Sequence, residues 1–193
     1  MVDVSARAHR RAVRVSLGLE SLEHAERPGS ADGTVDLAKR LGKPLMIHDR
    51  EAHADILRIL REEGAPPVVV FHCFSGDAAM ARECADAGYV LSFAGPVTFR
   101  NAAALREAAL IPDDDHVLVE TDAPFLTPHP HRGRANEPYC LPWTVRGLAE
   151  ARGVQADSLA AITNRNAERI FGLADLPSVT TVTSPDGRAP RSA

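Results

Sequence analysis

Four side chains in this sequence have the types and the placement for hydrolytic chemistry: His48, His72, Glu120 and Asp122. Each follows a short apolar run. Lys43-Pro44-Leu45-Met46-Ile47 leads into His48, and Pro67-Val68-Val69-Val70-Phe71 leads into His72. Val117-Leu118-Val119 leads into Glu120-Thr121-Asp122, and Ala123-Pro124 stops it. Two neutral imidazoles and a carboxylate form a standard donor set for Zn²⁺ or Mn²⁺, or for a two-metal centre. A cation held there would lower the pKa of a bound water and polarise a phosphoryl or carbonyl oxygen. Either histidine alone is better explained as a core residue hydrogen-bonded to backbone. Three strand ends that each deliver a donor favour one metal site, with His48, His72 and Asp122 as ligands. Glu120 and Asp122 are two apart and point the same way on a strand. For Glu120 two readings stay open, orienting a ligand or capping a neighbouring loop, and it is counted with Arg50, Arg134 and Asn136 among the expected substrate-binding residues.

Other polar residues are weighed against plainer roles. Arg132 and Arg134 stand in a loop rooted beside Asp122, where guanidinium groups can grip phosphate oxygens bidentately. Arg50 follows His48 by two residues and can reach the same pocket. His129 and His131 share the loop, and a surface role suits them as well as a phosphate contact does. His53 and His116 are expected to be structural or solvated. Cys73 adjoins His72, but neighbours on a strand face opposite ways, which argues against a Cys-His nucleophile. Asn166 falls on the apolar stripe of a helix and is expected to be a buried amide that locks it.

These residues must be positioned by alternating strands and helices. Helices are expected over 35–41, 51–63, 78–87, 101–109, 141–151 and 157–171, and strands over 43–47, 68–71, 89–93 and 116–121. Gly42, Gly64 and Gly88 stop three of the helices, and Asp77 caps the start of one. The inward stripes are Ala52, Ile56, Ile59 and Leu60, then Met80, Cys84 and Ala87, then Leu141, Val145 and Leu148, then Leu159, Ile162 and Ile170. This rhythm argues for parallel βαβ units, with four strands from Lys43 onward. The Pro-rich stretch from Ala123 to about Tyr139 is a long loop of the kind that usually carries function or is disordered. Residues 1–34 read as an irregular lead-in, 35–173 as the α/β portion, and 174–193 as a disordered Ser/Thr/Pro-rich tail.

The 193 residues allow one domain with a full core. A net charge of −4 gives no global attraction to nucleic acid, so any such contact requires a local basic patch. No apolar run is long enough to span a bilayer, and no signal-peptide pattern opens the chain. Three cysteines without CxxC spacing suit a reducing cytoplasm.

Several linked stretches, in order, resemble the TatD family of metal-dependent deoxyribonucleases. They are Ile47-His48-Asp49-Arg50-Glu51-Ala52, Phe71-His72-Cys73-Phe74-Ser75-Gly76, Val119 to Leu126 (Val-Glu-Thr-Asp-Ala-Pro-Phe-Leu) and Arg134-Ala135-Asn136-Glu137-Pro138. Thr163, Asn166 and Phe171-Gly172 extend the likeness, which covers about residues 35–173. The resemblance implies an amidohydrolase-like (β/α)₈ TIM barrel with two divalent metals (Mg²⁺, Mn²⁺ or Zn²⁺) that cleaves DNA. His48 and His72 would hold one metal. Asp122 would hold the other and assist the attacking water, and Arg134 and Asn136 would line the substrate side. The family's opening His-x-His strand and its Gly-Glu-x-Gly-Leu-Asp stretch have no counterpart here. His9 and His24 lack a partner at that spacing, and Gly18-Leu19-Glu20 is a faint echo. The expected fold is therefore a barrel lacking its first strands, and fewer metals than two can be held. Two other readings are a hydrolase of amide or cyclic C–N bonds and a non-catalytic remnant.

Overall fold

The structure, a computed structural model, describes residues 13–18 and 31–173. Five parallel strands form one sheet in sequence order: β1 (Val13–Gly18), β2 (Leu45–Arg50), β3 (Val69–His72), β4 (Val90–Phe93) and β5 (Val117–Val119). Between and after them run α1 (Ala31–Leu41), α2 (His53–Glu63), α3 (Ala78–Asp86), α4 (Ala103–Ala108), α5 (Leu141–Arg152) and α6 (Ala156–Phe171). Among the described residues no helix is long and apolar enough to cross a membrane.

β1 falls inside the stretch expected to be an irregular lead-in, and it pairs with β2 from Val13↔Leu45 to Gly18↔Arg50. Val13, Val15 and Leu17 alternate with Arg14 and Ser16, a period of two obscured by the preceding arginines. The four later strands stand where the apolar runs placed them. The expected tail at 174–193 and the residues His9, Glu20 and His24 lie outside the described residues.

Strand alternation divides the sheet into two faces. Leu45, Ile47, Val69, Phe71, Leu91, Phe93, Val117 and Val119 face the helices and form the main core. On the opposite face Met46, Val70, Val90 and Leu118 make a second apolar layer, closed by Ala167, Ile170 and Phe171 at the end of α6. The helical stripes pack as expected except at two places: in α6 Ile162 is only half-buried and Thr163 takes the inward position, and in α3 Ala87 is exposed and Ala81 is buried with Met80 and Cys84. The helix ends at Asp86, so the stripe no longer applies at Ala87. Asp77 caps α3, its Oδ1 accepting from the N–H groups of Ala79 and Met80 at 3.0 Å each. Asn166 is the buried lock expected of it: Nδ2 donates to Asp114 O at 2.6 Å and Val117 O at 2.9 Å, tying α6 to the entry of β5.

Candidate active site

The second face of the sheet changes character within one pleat. Two residues beyond Met46, Val70, Val90 and Leu118 stand His48, His72, Ser92 and Glu120, in or just past the C-terminal halves of their strands, with β2 running two residues beyond His48 to Arg50. His48 and His72 are register partners across β2 and β3, with ring centroids 5.7 Å apart. The β4–β5 ladder continues to Glu120, whose N–H donates to Phe93 O at 3.0 Å.

His72 is held from both sides. Its Nδ1 lies 2.6 Å from Glu120 Oε2, and its Nε2 lies 3.2 Å from Asp122 Oδ1. Glu120 thus touches the His72 ring through one oxygen, and its other oxygen accepts from the Cys73 N–H at the start of the following loop. Glu120 is buried, so it meets His72 rather than solvent, and it is not placed on the substrate side. Burial works against a charged His72, but the Asp122 and Glu120 carboxylates outweigh it and raise the imidazole to about 9. Burial and the same two carboxylates push the Cys73 thiol far up, so it remains a neutral S–H and no nucleophile.

Backbone conformation turns the strand ends into the site. Cys73 and Asp122 adopt positive φ, 50° and 55°, an uncommon state for residues with a Cβ that tends to cluster at functional sites. At Asp122 this turns the chain out of β5 and leaves the side chain a quarter exposed beside His72.

The expected long loop is tightly tied. Asn136 is buried, and its Nδ2 donates to Thr121 O at 2.6 Å and Phe125 O at 2.7 Å. It therefore ties together the two ends of the turn around Asp122, and both protons of its amide nitrogen are committed to the backbone rather than to the substrate side expected of it. Thr127 Oγ1 donates to Arg134 O at 2.6 Å, and Arg132 lies over the Phe99 ring at 4.1 Å. Gly95 accepts the loop's return: a Cβ there would stand 1.9 Å from Leu126 O. Arg50 and Arg134 are exposed, as a substrate contact requires. Arg134 lines a cavity of about 330 Å³ with Pro124, Phe125 and Arg132.

Two residues escaped the sequence reading. Asp49 is buried, accepts from the Ala52 N–H at 3.1 Å and pairs with His53, bracing the turn that follows His48. Ser92 extends the polar row between His72 and Glu120. Its only signal was a hydroxyl interrupting an apolar strand two residues after Val90.

By chemistry this donor set fits a divalent cation. A buried imidazole with one nitrogen buttressed by a carboxylate and the other facing a second carboxylate is the arrangement of a metal-ligating histidine. Among the described residues no three His, Cys, Asp or Glu side chains close into a ready cage, so the fit is one of donor type and buttressing.

A parallel α/β sheet with polar groups gathered towards its C-terminal strand ends is the layout shared by α/β barrels and open α/β sheets, and solved structures place these five described strands in the TIM-barrel class of TatD and amidohydrolase folds. The protein is similar to YjjV, a TatD homolog from Escherichia coli (TM-score 0.74, 25% identity, 88% of this chain and 67% of that one). It shares its fold with a TatD-family hydrolase of Entamoeba histolytica (TM-score 0.68, 14% identity, 86% and 65% covered). The family described as TatD related DNase matches residues 32–172, and the chain belongs to it. It is 61% identical over 139 residues to the metal-dependent hydrolase TatD of Mycobacterium tuberculosis, covering 72% of this chain and 53% of the relative. It is 45% identical over 138 residues to YabD of Bacillus subtilis, a metal-dependent hydrolase by its description, with 71% and 54% covered. The chain thus spans about half the length of the curated relatives it matches.

Proposed function

We propose that this chain carries part of a metal-dependent hydrolase that cleaves DNA phosphodiester bonds with an activated water. The observation that carries the reading is the chain Glu120–His72–Asp122 at the strand ends. His48, His72 and Asp122 would hold the cation, which supplies Lewis acidity and a bound water of lowered pKa. Glu120 accepts the Nδ1 proton of His72, which sets the tautomer and leaves Nε2 as the donor atom. Asp122, at the mouth of the site, takes the proton of the attacking water. Arg50 and Arg134 pair with phosphate oxygens, and this preference for two oxygens that share a negative charge separates phosphodiesters from amides or cyclic C–N bonds. The relatives named as metal-dependent hydrolases support the same reaction class. A reducing cytoplasm suits the free Cys73, Cys84 and Cys140.

The test is cleavage of a short single-stranded DNA by the purified protein with added Mg²⁺, Mn²⁺ or Zn²⁺. Asp122→Ala is expected to abolish metal-dependent cleavage while the protein stays folded by circular dichroism. Undiminished cleavage by that variant would remove Asp122 from the mechanism. A folded protein that cleaves with none of the three metals would overturn the assignment.

A further inference from the structure

One buried carboxylate stands on the side of the sheet away from the hydrolytic groups. Asp49 follows His48, so it points to the helix-facing side two residues past Ile47, and its side chain is 6% exposed. A charge is costly to hold there unless it is paired and hydrogen-bonded. Asp49 is both. One oxygen accepts from the Ala52 N–H at 3.1 Å, and the other pairs with Nδ1 of His53, whose own side chain is half-exposed. The carboxylate also lies at the start of α2, where the unpaired N–H groups of the first turn favour an anion.

These bonds close a tight exit from β2. Glu51 has a φ of 59°, a left-handed state uncommon for a residue with a Cβ, and Ala52 offers no side chain to cap the helix that follows. The bond from the Ala52 N–H to Asp49 spans Glu51 and holds the chain in that state. On one side of the exit Arg50 is in register with Gly18 of β1. On the other side α2 is fixed by Ile56, Ile59 and Leu60 in the core. Arg50 therefore leaves the sheet from a backbone clamped at both ends. By strand alternation it belongs to the His48 face, and it is exposed.

We propose that Asp49, supported by His53, is a positioning residue for Arg50: it fixes the direction in which that guanidinium meets a phosphate, without touching substrate itself. The inference rests on the phosphodiester reading of the site. With the Asp49 bonds lost, Glu51 relaxes to an ordinary backbone conformation, and Arg50 samples directions from which the phosphate is out of reach. The loss falls on affinity, because the packing of β2 is carried by Leu45 and Ile47 deeper in the sheet.

The test is a double-mutant cycle on binding of a fluorescently labelled oligodeoxythymidylate of about 12 nucleotides, read by anisotropy in chelator so that nothing is cleaved. Arg50→Ala should weaken binding about 10-fold and lower the salt slope by about one. Asp49→Ala should do nearly the same alone, yet weaken binding by less than about 2-fold more in the Arg50→Ala background. Asp49→Asn keeps an acceptor for the Ala52 N–H and should restore most of the affinity. Additive losses, no loss in a folded Asp49→Ala, or an Asn variant as weak as the alanine one would each overturn the positioning role and leave Arg50 on the phosphate. If Asp49→Ala does not fold, His53→Ala, at a half-exposed position, decides in the same way: its loss must be present with Arg50 and absent without it. No loss in Arg50→Ala overturns the positioning role together with the phosphate contact. Coupled losses with no cleavage under Mg²⁺, Mn²⁺ or Zn²⁺ keep the positioning role and reject the hydrolase reading.

Discussion

The two faces of the sheet are made from the same strands yet do opposite things. The helix-facing side is apolar through Ile47, Phe71, Phe93 and Val119, with the first three at most 1% exposed, and only Asp49 near the end of β2 breaks it. The other side is apolar at Met46, Val70, Val90 and Leu118 and then polar at the next pleat step, His48, His72, Ser92 and Glu120. Stability and chemistry are therefore separated by the width of the sheet. A buried histidine–carboxylate pair is expensive to desolvate, and it is tolerated here because every oxygen of Glu120 finds a donor and the opposite face is fully packed.

The separation can be broken most severely from the apolar side. Phe71→Ala removes a fully buried ring that packs against Phe74 and Tyr89 and should cost about 3–5 kcal/mol, measured by denaturant unfolding. Any loss of metal binding in that variant should follow the loss of fold. Glu120→Gln tests the polar side. It keeps the shape but gives up the charge that buttresses His72, and metal affinity measured by calorimetry should fall about 10–100-fold while the protein stays folded. If the fold is lost instead, the two faces are not independent.

A pH profile sharpens the same contrast in metal-free protein. The His72 pKa is raised from 6.5 to about 9 on folding, so its charged form stabilises the native state. That contribution is fully present below about pH 6.5, declines as pH rises towards 9, and is gone above it. The unfolding midpoint in chelator should fall over that window, and Asp122→Asn should flatten the fall. The smallest effect is expected at the exposed rim. Arg134→Ala should weaken single-stranded DNA binding by the equivalent of one phosphate contact, lowering the salt slope by about one and leaving stability unchanged. An effect on turnover alone, with the salt slope intact, would take Arg134 off the substrate.

Much of this was legible in the residues. Each apolar run from Leu45 onward became a strand, because a short stretch of valines and leucines between glycine and proline stops has few other ways to be buried. The donors at the run ends followed, since a strand's C-terminal end is where a parallel sheet releases its chain. β1 was hidden, because Val13, Val15 and Leu17 alternate within an arginine-rich setting and only pairing with β2 gives them a role. Asn136 was misjudged for a similar reason. Its place in a family-like motif said that it mattered, but not that its amide ties Thr121 to Phe125.

The sequence by itself determined the order of elements from β2 onward, the two kinds of strand face and which polar side chains follow the apolar runs, because periodicity and residue type are local properties. It could not determine which carboxylate meets which imidazole. Glu120 lies 48 residues from His72, and only the parallel pairing of β3, β4 and β5 brings the two within 2.6 Å.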